Sequence, residues 1–220
     1  MGPLVAEPIE RYLASLNRVD DPVLLDVARA GDARDLRMVS AEVGAFLEVM
    51  ARTVAARRLL EVGTGIGYST LWLARALAQD GHIYTIEIDP DLAREARETF
   101  DRSGLSARIS VMVGEAARLV HKVAGPFDFI FQGGRDTDDA TNLDRLVDLL
   151  RPGGILVADN ALAAGRVGGG FGAAERTAPD GDAAVAAFNQ RLARHPRLRT
   201  TVVPLGDGLS ISVKVPQEAV

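Results

Sequence analysis

The ionisable side chains limit the chemistry first. The 220-residue chain has no cysteine, which excludes disulfides, thiolate metal sites and a cysteine nucleophile. Its three histidines are poorly placed for base catalysis. His82 opens a predicted strand, at the sheet end opposite to where ligands gather. His195 falls near a helix C-terminus, where positive charge is favoured, and His121 lies in or at the end of the helix after the third strand. Oxygen groups remain. Glu61 lies near the end of the apolar run Arg58-Leu-Leu-Glu-Val62, Glu87 ends His82-Ile-Tyr-Thr-Ile-Glu87, and Asp159-Asn160 follow Ile155-Leu-Val-Ala158. A carboxylate at a strand end accepts hydrogen bonds from sugar hydroxyls or attracts a cationic ligand group.

The first of these runs leads into Glu61-Val-Gly-Thr-Gly-Ile-Gly67 and then a helix. Glycines there let the backbone turn sharply and let a ligand lie against it. The dinucleotide fingerprint needs another glycine where Tyr68 stands, and Tyr68 would crowd a pyrophosphate at the helix N-terminus. No Gly-Lys-Ser/Thr follows, so a P-loop is excluded as well. Glu87, about two dozen residues beyond Gly63, sits where an acid binds ribose hydroxyls. The combination favours an adenosine ligand without a pyrophosphate. Glu61 adds a negative group that suits the amino group and sulfonium of S-adenosylmethionine and repels phosphates. Gly114-Glu-Ala116, at the end of the third predicted strand, reads either as a wall for adenine or as a helix N-cap.

The elements that position these groups follow from periodicity. Residues 4–16 and 22–30 have helical spacing; Asp21-Pro22 starts the second helix and Gly31 is expected to end it. Ser40 caps a third helix running through Val54. Predicted strands at 58–62, 82–87, 109–113, 127–131 and 155–158 alternate with helices at 68–78, from Asp89-Pro90 to about Ser103, 115–123 and 139–150. A glycine-rich loop over 161–181 is long enough to be functional or mobile. A helix at 182–194 and strands at 198–204 and 209–214, joined by Leu205-Gly-Asp-Gly208, close the chain. The expected fold is α/β: a doubly wound, mostly parallel seven-stranded sheet with an antiparallel terminal hairpin. It forms one domain over 1–220, with a helical N-terminal part at 1–55 and a Rossmann-like core at 56–220.

Bulk properties narrow the partners. Hydrophobic residues make up 47% and charged residues 25%, a globular balance, and the net charge of -5 gives no footprint for broad nucleic-acid binding. No apolar run reaches the length of a membrane helix, and the N-terminus has no signal-peptide pattern. A cytoplasmic protein acting on a small molecule is the expectation.

Five segments then carry a resemblance: Leu60 to Ser69, Ile86-Glu-Ile-Asp-Pro90, Phe127-Asp-Phe-Ile-Phe131, Arg151-Pro-Gly-Gly-Ile-Leu-Val-Ala-Asp-Asn160 and Gly206-Asp-Gly208. Over nearly its whole length the chain resembles the small O-methyltransferases related to catechol and caffeoyl-CoA O-methyltransferases. The glycine motif marks only the superfamily, whereas Ala-Asp-Asn after Pro-Gly-Gly is family-specific. The resemblance implies S-adenosylmethionine-dependent methyl transfer to a hydroxyl oxygen of a small, phenolic acceptor. It implies a cofactor site at Met38, Glu61, Gly63, Gly65, Tyr68, Ser69, Glu87, Ile88, Gly114, Glu115 and Ala116, with Met38 over the reactive methyl or in ordinary core packing. It also implies pairing into a homodimer through the N-terminal helices. Two other readings stay open: methylation of a hydroxylated tRNA base, and a cofactor-binding protein that has lost catalysis.

Such enzymes hold a divalent cation, magnesium or calcium, with two Asp and one Asn. Asp159 and Asn160 match two of the three ligands. The third falls on Gly133, because the usual Asp-Ala-Asp-Lys is here Gly133-Gly-Arg-Asp136. The implied metal site is therefore incomplete, and Asp136 stands where the lysine that helps deprotonate the acceptor is expected. Asp136 and Asp159 are the candidate catalytic residues.

Overall fold

The computed structural model describes residues 7–16, 19–134, 139–163, 167 and 180–216. Three helices lead, α1 (Glu7–Leu16), α2 (Pro22–Asp32) and α3 (Ala41–Thr53). The alternating part follows: β1 (Arg58–Val62), α4 (Tyr68–Ala76), β2 (His82–Glu87), α5 (Pro90–Ser103), β3 (Ile109–Val113), α6 (Ala116–Leu119), β4 (Phe127–Gln132), α7 (Asp139–Leu149) and β5 (Leu150–Ala158). Helix α8 (Asp180–Arg194) and strands β6 (Leu198–Val203) and β7 (Leu209–Lys214) complete it.

The seven strands lie in the order β3-β2-β1-β4-β5-β7-β6. Strands β1 to β5 pair in parallel, and β7 runs antiparallel to both β5 and β6. The chain steps outward from β1 to β3, then returns to the other side of β1 with β4. Neighbouring connections therefore diverge at the C-terminal ends of β1 and β4, the crevice where open α/β sheets take ligands. One apolar core, with Leu47, Leu59, Leu71 and Phe129, packs under α2 to α5; a second, with Leu60, Ile130, Leu146 and Leu156, covers the opposite face.

Capping follows the sequence. Asp21 accepts from the Val23 and Leu24 N–H groups, Ser40 from Val43, and Asp89 from Asp91 and Leu92. Three expectations are corrected. Gly31 does not end α2: the helix continues to Asp32, and the glycine sits inside its last turn. Helix α6 is one turn long instead of spanning 115–123, and just beyond it Arg145 from α7 takes the Val120 and Val123 carbonyls at 3.1 and 2.9 Å. Strand β5 begins at Leu150 instead of 155, since Leu150 already pairs with Phe127 before a register shift. At the sheet's N-terminal edge, Asp128 accepts from the Arg57 and Arg58 N–H groups at 2.8 and 2.9 Å and from Arg151 Nε at 2.6 Å. This clasp joins the starts of β1, β4 and β5. Most of the expected 161–181 loop lies outside the described residues.

Candidate active site

The site grows from the end of β1. Glu61 is fully buried, and its carboxylate accepts from Ser69 Oγ at 2.7 Å, Thr70 Oγ1 at 2.5 Å and Thr85 Oγ1 at 2.7 Å. Thr85 Oγ1 also lies 2.6 Å from Thr64 Oγ1. Burial pushes Glu61 up to about 7, against the three hydroxyl donors that favour the charged form. Glu61 does not itself line the cavity, and three hydroxyls take most of its acceptor capacity, with Oε1 accepting one bond and Oε2 two. It works one layer down, fixing Ser69, which reaches the surface of the cavity. Thr64, Thr70 and Thr85 were not singled out from the sequence, since an isolated threonine carries no pattern.

The glycine turn lies above this network. At Gly63 φ is +93°, and a Cβ there would stand 2.7 Å from the Gly134 nitrogen. Only glycine allows the turns after β1 and β4 to pack so closely; Gly133 and Gly134 both donate to the Val62 carbonyl at 2.9 Å. Gly65, at φ +53°, faces open space, with no atom within 4 Å of where its Cβ would sit. Its N–H donates to Glu87 Oε2 at 2.7 Å, and Glu87 Oε1 accepts from the Asp89 N–H at 3.0 Å. Glu87 is therefore aimed from the end of β2 toward the turn. Ile88 is exposed beside it, and Gly114 is joined to the Glu87 carbonyl at 2.8 Å. Glu115 stands at the N-cap of α6, as the capping reading expects, and its carbonyl accepts from the Arg118 and Leu119 N–H groups, while its side chain makes no cap and pairs with Arg118 at 2.9 Å. Ile88, just past β2, and Val113, at the end of β3, are both exposed.

A cavity of about 320 Å³ opens between the glycine turn and the segment linking α2 to α3. It brings together Met38, Gly63, Gly65, Tyr68 and Ser69 from the expected cofactor set with Asp159 and Asn160. Glu61 lies beneath this cavity; Glu87, Ile88, Gly114, Glu115 and Ala116 belong to the adjoining strand ends. Phe131, Arg37 and Asp207 also line the cavity, and sequence reasoning missed them. Asp207 is brought in by backbone bonds that fasten the β6–β7 turn to the segment after β5: Ala161 N–H to Gly208 at 2.8 Å and Leu162 N–H to Asp207 at 3.0 Å. The Gly206-Asp-Gly208 motif was its only signal. Burial, opposed by the Asn160 N–H and reinforced by the Asp207 charge, pushes Asp159 up to about 6.

The implied cation set is not made at its expected third position, 133, although Asp159, Asn160 and Asp207 line one cavity. Asp159 and Asn160 stand together, with Asn160 at φ +61°, a conformation asparagine tolerates. Position 133 offers no oxygen from a side chain, and a Cβ there would lie 2.8 Å from Phe131 Cε1. Asp136 lies outside the described residues, and so does Arg135.

A sequence profile of the O-methyltransferase family matches residues 20–215. The chain belongs to the O-methyltransferase family. Among its relatives, the catechol O-methyltransferase of Mycobacterium tuberculosis is 35% identical, over 89% of this chain and 87% of that protein. The catechol O-methyltransferase of Niastella koreensis is also 35% identical, over 76% of this chain and 78% of its own. Among solved structures, the O-methyltransferase TomG of Streptomyces achromogenes, in complex with SAM, superposes with a TM-score of 0.84 at 30% identity, covering 95% of this chain and 96% of that one. The Bacillus cereus O-methyltransferase in complex with SAH gives 0.83 at 28% identity, covering 94% and 97%. This O-methyltransferase therefore has the Rossmann-like fold of the class I enzymes, as its strand order requires. No described helix in it is long and apolar enough to cross a membrane.

Proposed function

We propose that this O-methyltransferase transfers the methyl group of S-adenosylmethionine to a phenolic hydroxyl of a small acceptor. The observation that carries the reading is the convergence, where β1 and β4 diverge, of an open glycine turn, the Glu87 carboxylate and a cavity with one apolar and one acidic side. The site fits the cofactor: Gly65 leaves room for a chain to lie across the turn, Glu87 is aimed at a ribose, and the exposed apolar side chain of Ile88 beside it suits adenine. S-adenosylmethionine, when bound, supplies an electrophilic methyl group on a sulfonium. The protein's share is to hold the acceptor oxygen in line with that methyl and to exclude water. Met38, Tyr68 and Phe131 give the acceptor ring apolar walls. Asp159, with Asp207 beside it, offers carboxylate oxygens that can take the phenolic proton. The relatives named catechol O-methyltransferase support the choice of acceptor.

Calorimetry tests the cofactor part. Glu87→Ala should weaken S-adenosylmethionine by about 1.5–3 kcal/mol, the range for hydrogen bonds to a charged group. Equal affinity in both proteins removes the ribose role of Glu87. The protein also fits a cytoplasmic homodimer: α1 exposes Ile9, Tyr12 and Leu16 at helical spacing, an apolar row that a second copy would cover. Light scattering at the monomer mass contradicts that pairing.

A further inference from the structure

Gly31 sits in the last turn of α2, where an alanine would favour the helix by about 1 kcal/mol. It is buried and its backbone is ordinary helix, so no turn or positive φ calls for glycine. Its carbonyl accepts from the Arg34 and Leu36 N–H groups at 3.1 and 3.0 Å, turning the chain out of α2 toward the cavity-lining segment 36–39. What the position lacks is room. A Cβ on Gly31 would lie 1.9 Å from Met38 Cε and 2.5 Å from Met38 Sδ. The Met38 thioether thus occupies the space that any other residue at 31 would fill. Met38 also lines the cavity, between the glycine turn and the acidic end.

We infer that Gly31 is a positioning residue that sets acceptor size: it holds the Met38 thioether back against α2, and any side chain at 31 drives that thioether into the acceptor space. The α2 backbone is tied by its own hydrogen bonds and by packing on α4 and α5, whereas methionine has three rotatable bonds. The strain of a new methyl group at 31 is therefore relieved through Met38, and the free volume open to Met38 is the cavity. The inference rests on the reading that this cavity takes both cofactor and acceptor.

The test uses the full chain, S-adenosylmethionine and two acceptors, catechol and the bulkier quercetin. Gly31→Ala should lower kcat/KM for quercetin by about tenfold, within the range expected of overpacking, mainly through KM. Catechol should change by less than about twofold on the same grounds. Adding Met38→Ala to Gly31→Ala should restore quercetin turnover, because the shortened side chain no longer enters the acceptor space. A merely structural role for Gly31 would change both acceptors alike and would not be rescued at 38. Equal losses for the two acceptors, or no rescue, overturn the inference. If Gly31→Ala does not fold, Met38→Ala alone carries the test: it should raise quercetin kcat/KM relative to catechol, and an unchanged ratio overturns the inference. Cofactor affinity separates the two levels. Wild-type protein that binds no S-adenosylmethionine defeats the cavity reading itself, whereas intact cofactor binding with an unshifted size preference defeats only the role of Gly31.

Discussion

Two residues concentrate the chemical character of the site. Glu61 is a fully buried carboxylate with three hydroxyl donors, held up to about 7 chiefly by burial. The folded protein retains a proton there that the unfolded chain releases above its ordinary value of 4.5. Its contribution to stability is therefore greatest below that value, declines as pH rises toward about 7, and is constant beyond. Glu61→Gln removes this titration. The difference in urea midpoint between wild type and variant should change steadily across that window and level off above it; a flat difference contradicts the protonation account. Gly133 is the second residue. Magnesium binding should be weak and methyl transfer should survive a chelator, because position 133 brings no carboxylate to the cation set. Gly133→Asp alone should gain little, since Phe131 occupies the space its side chain needs. Pairing it with Phe131→Leu should raise magnesium affinity on the order of tenfold, as judged by calorimetry. A tight wild-type site would show instead that another acid completes the set. The missing carboxylate was legible in the sequence. The ring that blocks its restoration was not, because Phe131 reads as one more apolar residue of a strand.

At the level of elements, local signals were the legible ones. Asp21-Pro22, Ser40 and Asp89-Pro90 announce helix starts by side-chain chemistry acting within three residues, and the observed caps follow them. Ends set by distant partners were not legible. Arg145, 25 residues further along the chain, takes the Val120 carbonyl just past the end of α6. Helix α2 runs past Gly31 to Asp32, and Met38, seven residues on, fills the space beside the glycine. The Asp128 clasp is another long-range device, since Phe-Asp-Phe alone does not reveal what the acid holds. Despite desolvation, the Arg58 and Arg57 N–H groups and the Arg151 guanidinium keep Asp128 below the usual carboxylate range. The stability it contributes is thus present above its ordinary value of 3.8 and lost as pH falls through the lower folded value. Asp128→Ala should cost about 2–3 kcal/mol at neutral pH by urea unfolding. A cost that persists unchanged in strong acid would contradict the ionic clasp.

For the whole molecule, alternation of strands and helices gave the parallel sheet, and the short Leu205-Gly-Asp-Gly208 link gave the antiparallel hairpin. The hairpin does more than close the sheet. Its turn is pinned to the chain after β5, so that Asp207 stands by Asp159 although 48 residues separate them. No pattern in one sequence reports that juxtaposition, because it depends on the strand order β5-β7-β6. The cofactor side was legible because glycine spacing and a strand-end acid are local; the acceptor side was not, because it is assembled from α2–α3, β4, β5 and the hairpin. The central claim is that these parts form one site for methyl transfer. It is tested most directly by incubating the protein with methyl-labelled S-adenosylmethionine and catechol, in the presence of a chelator, and identifying the product by mass spectrometry. The account predicts a labelled mono-O-methyl catechol, formed by wild type and strongly reduced by Glu87→Ala at limiting cofactor. Protein that binds S-adenosylmethionine and yet leaves catechol unlabelled, with or without magnesium, would contradict it.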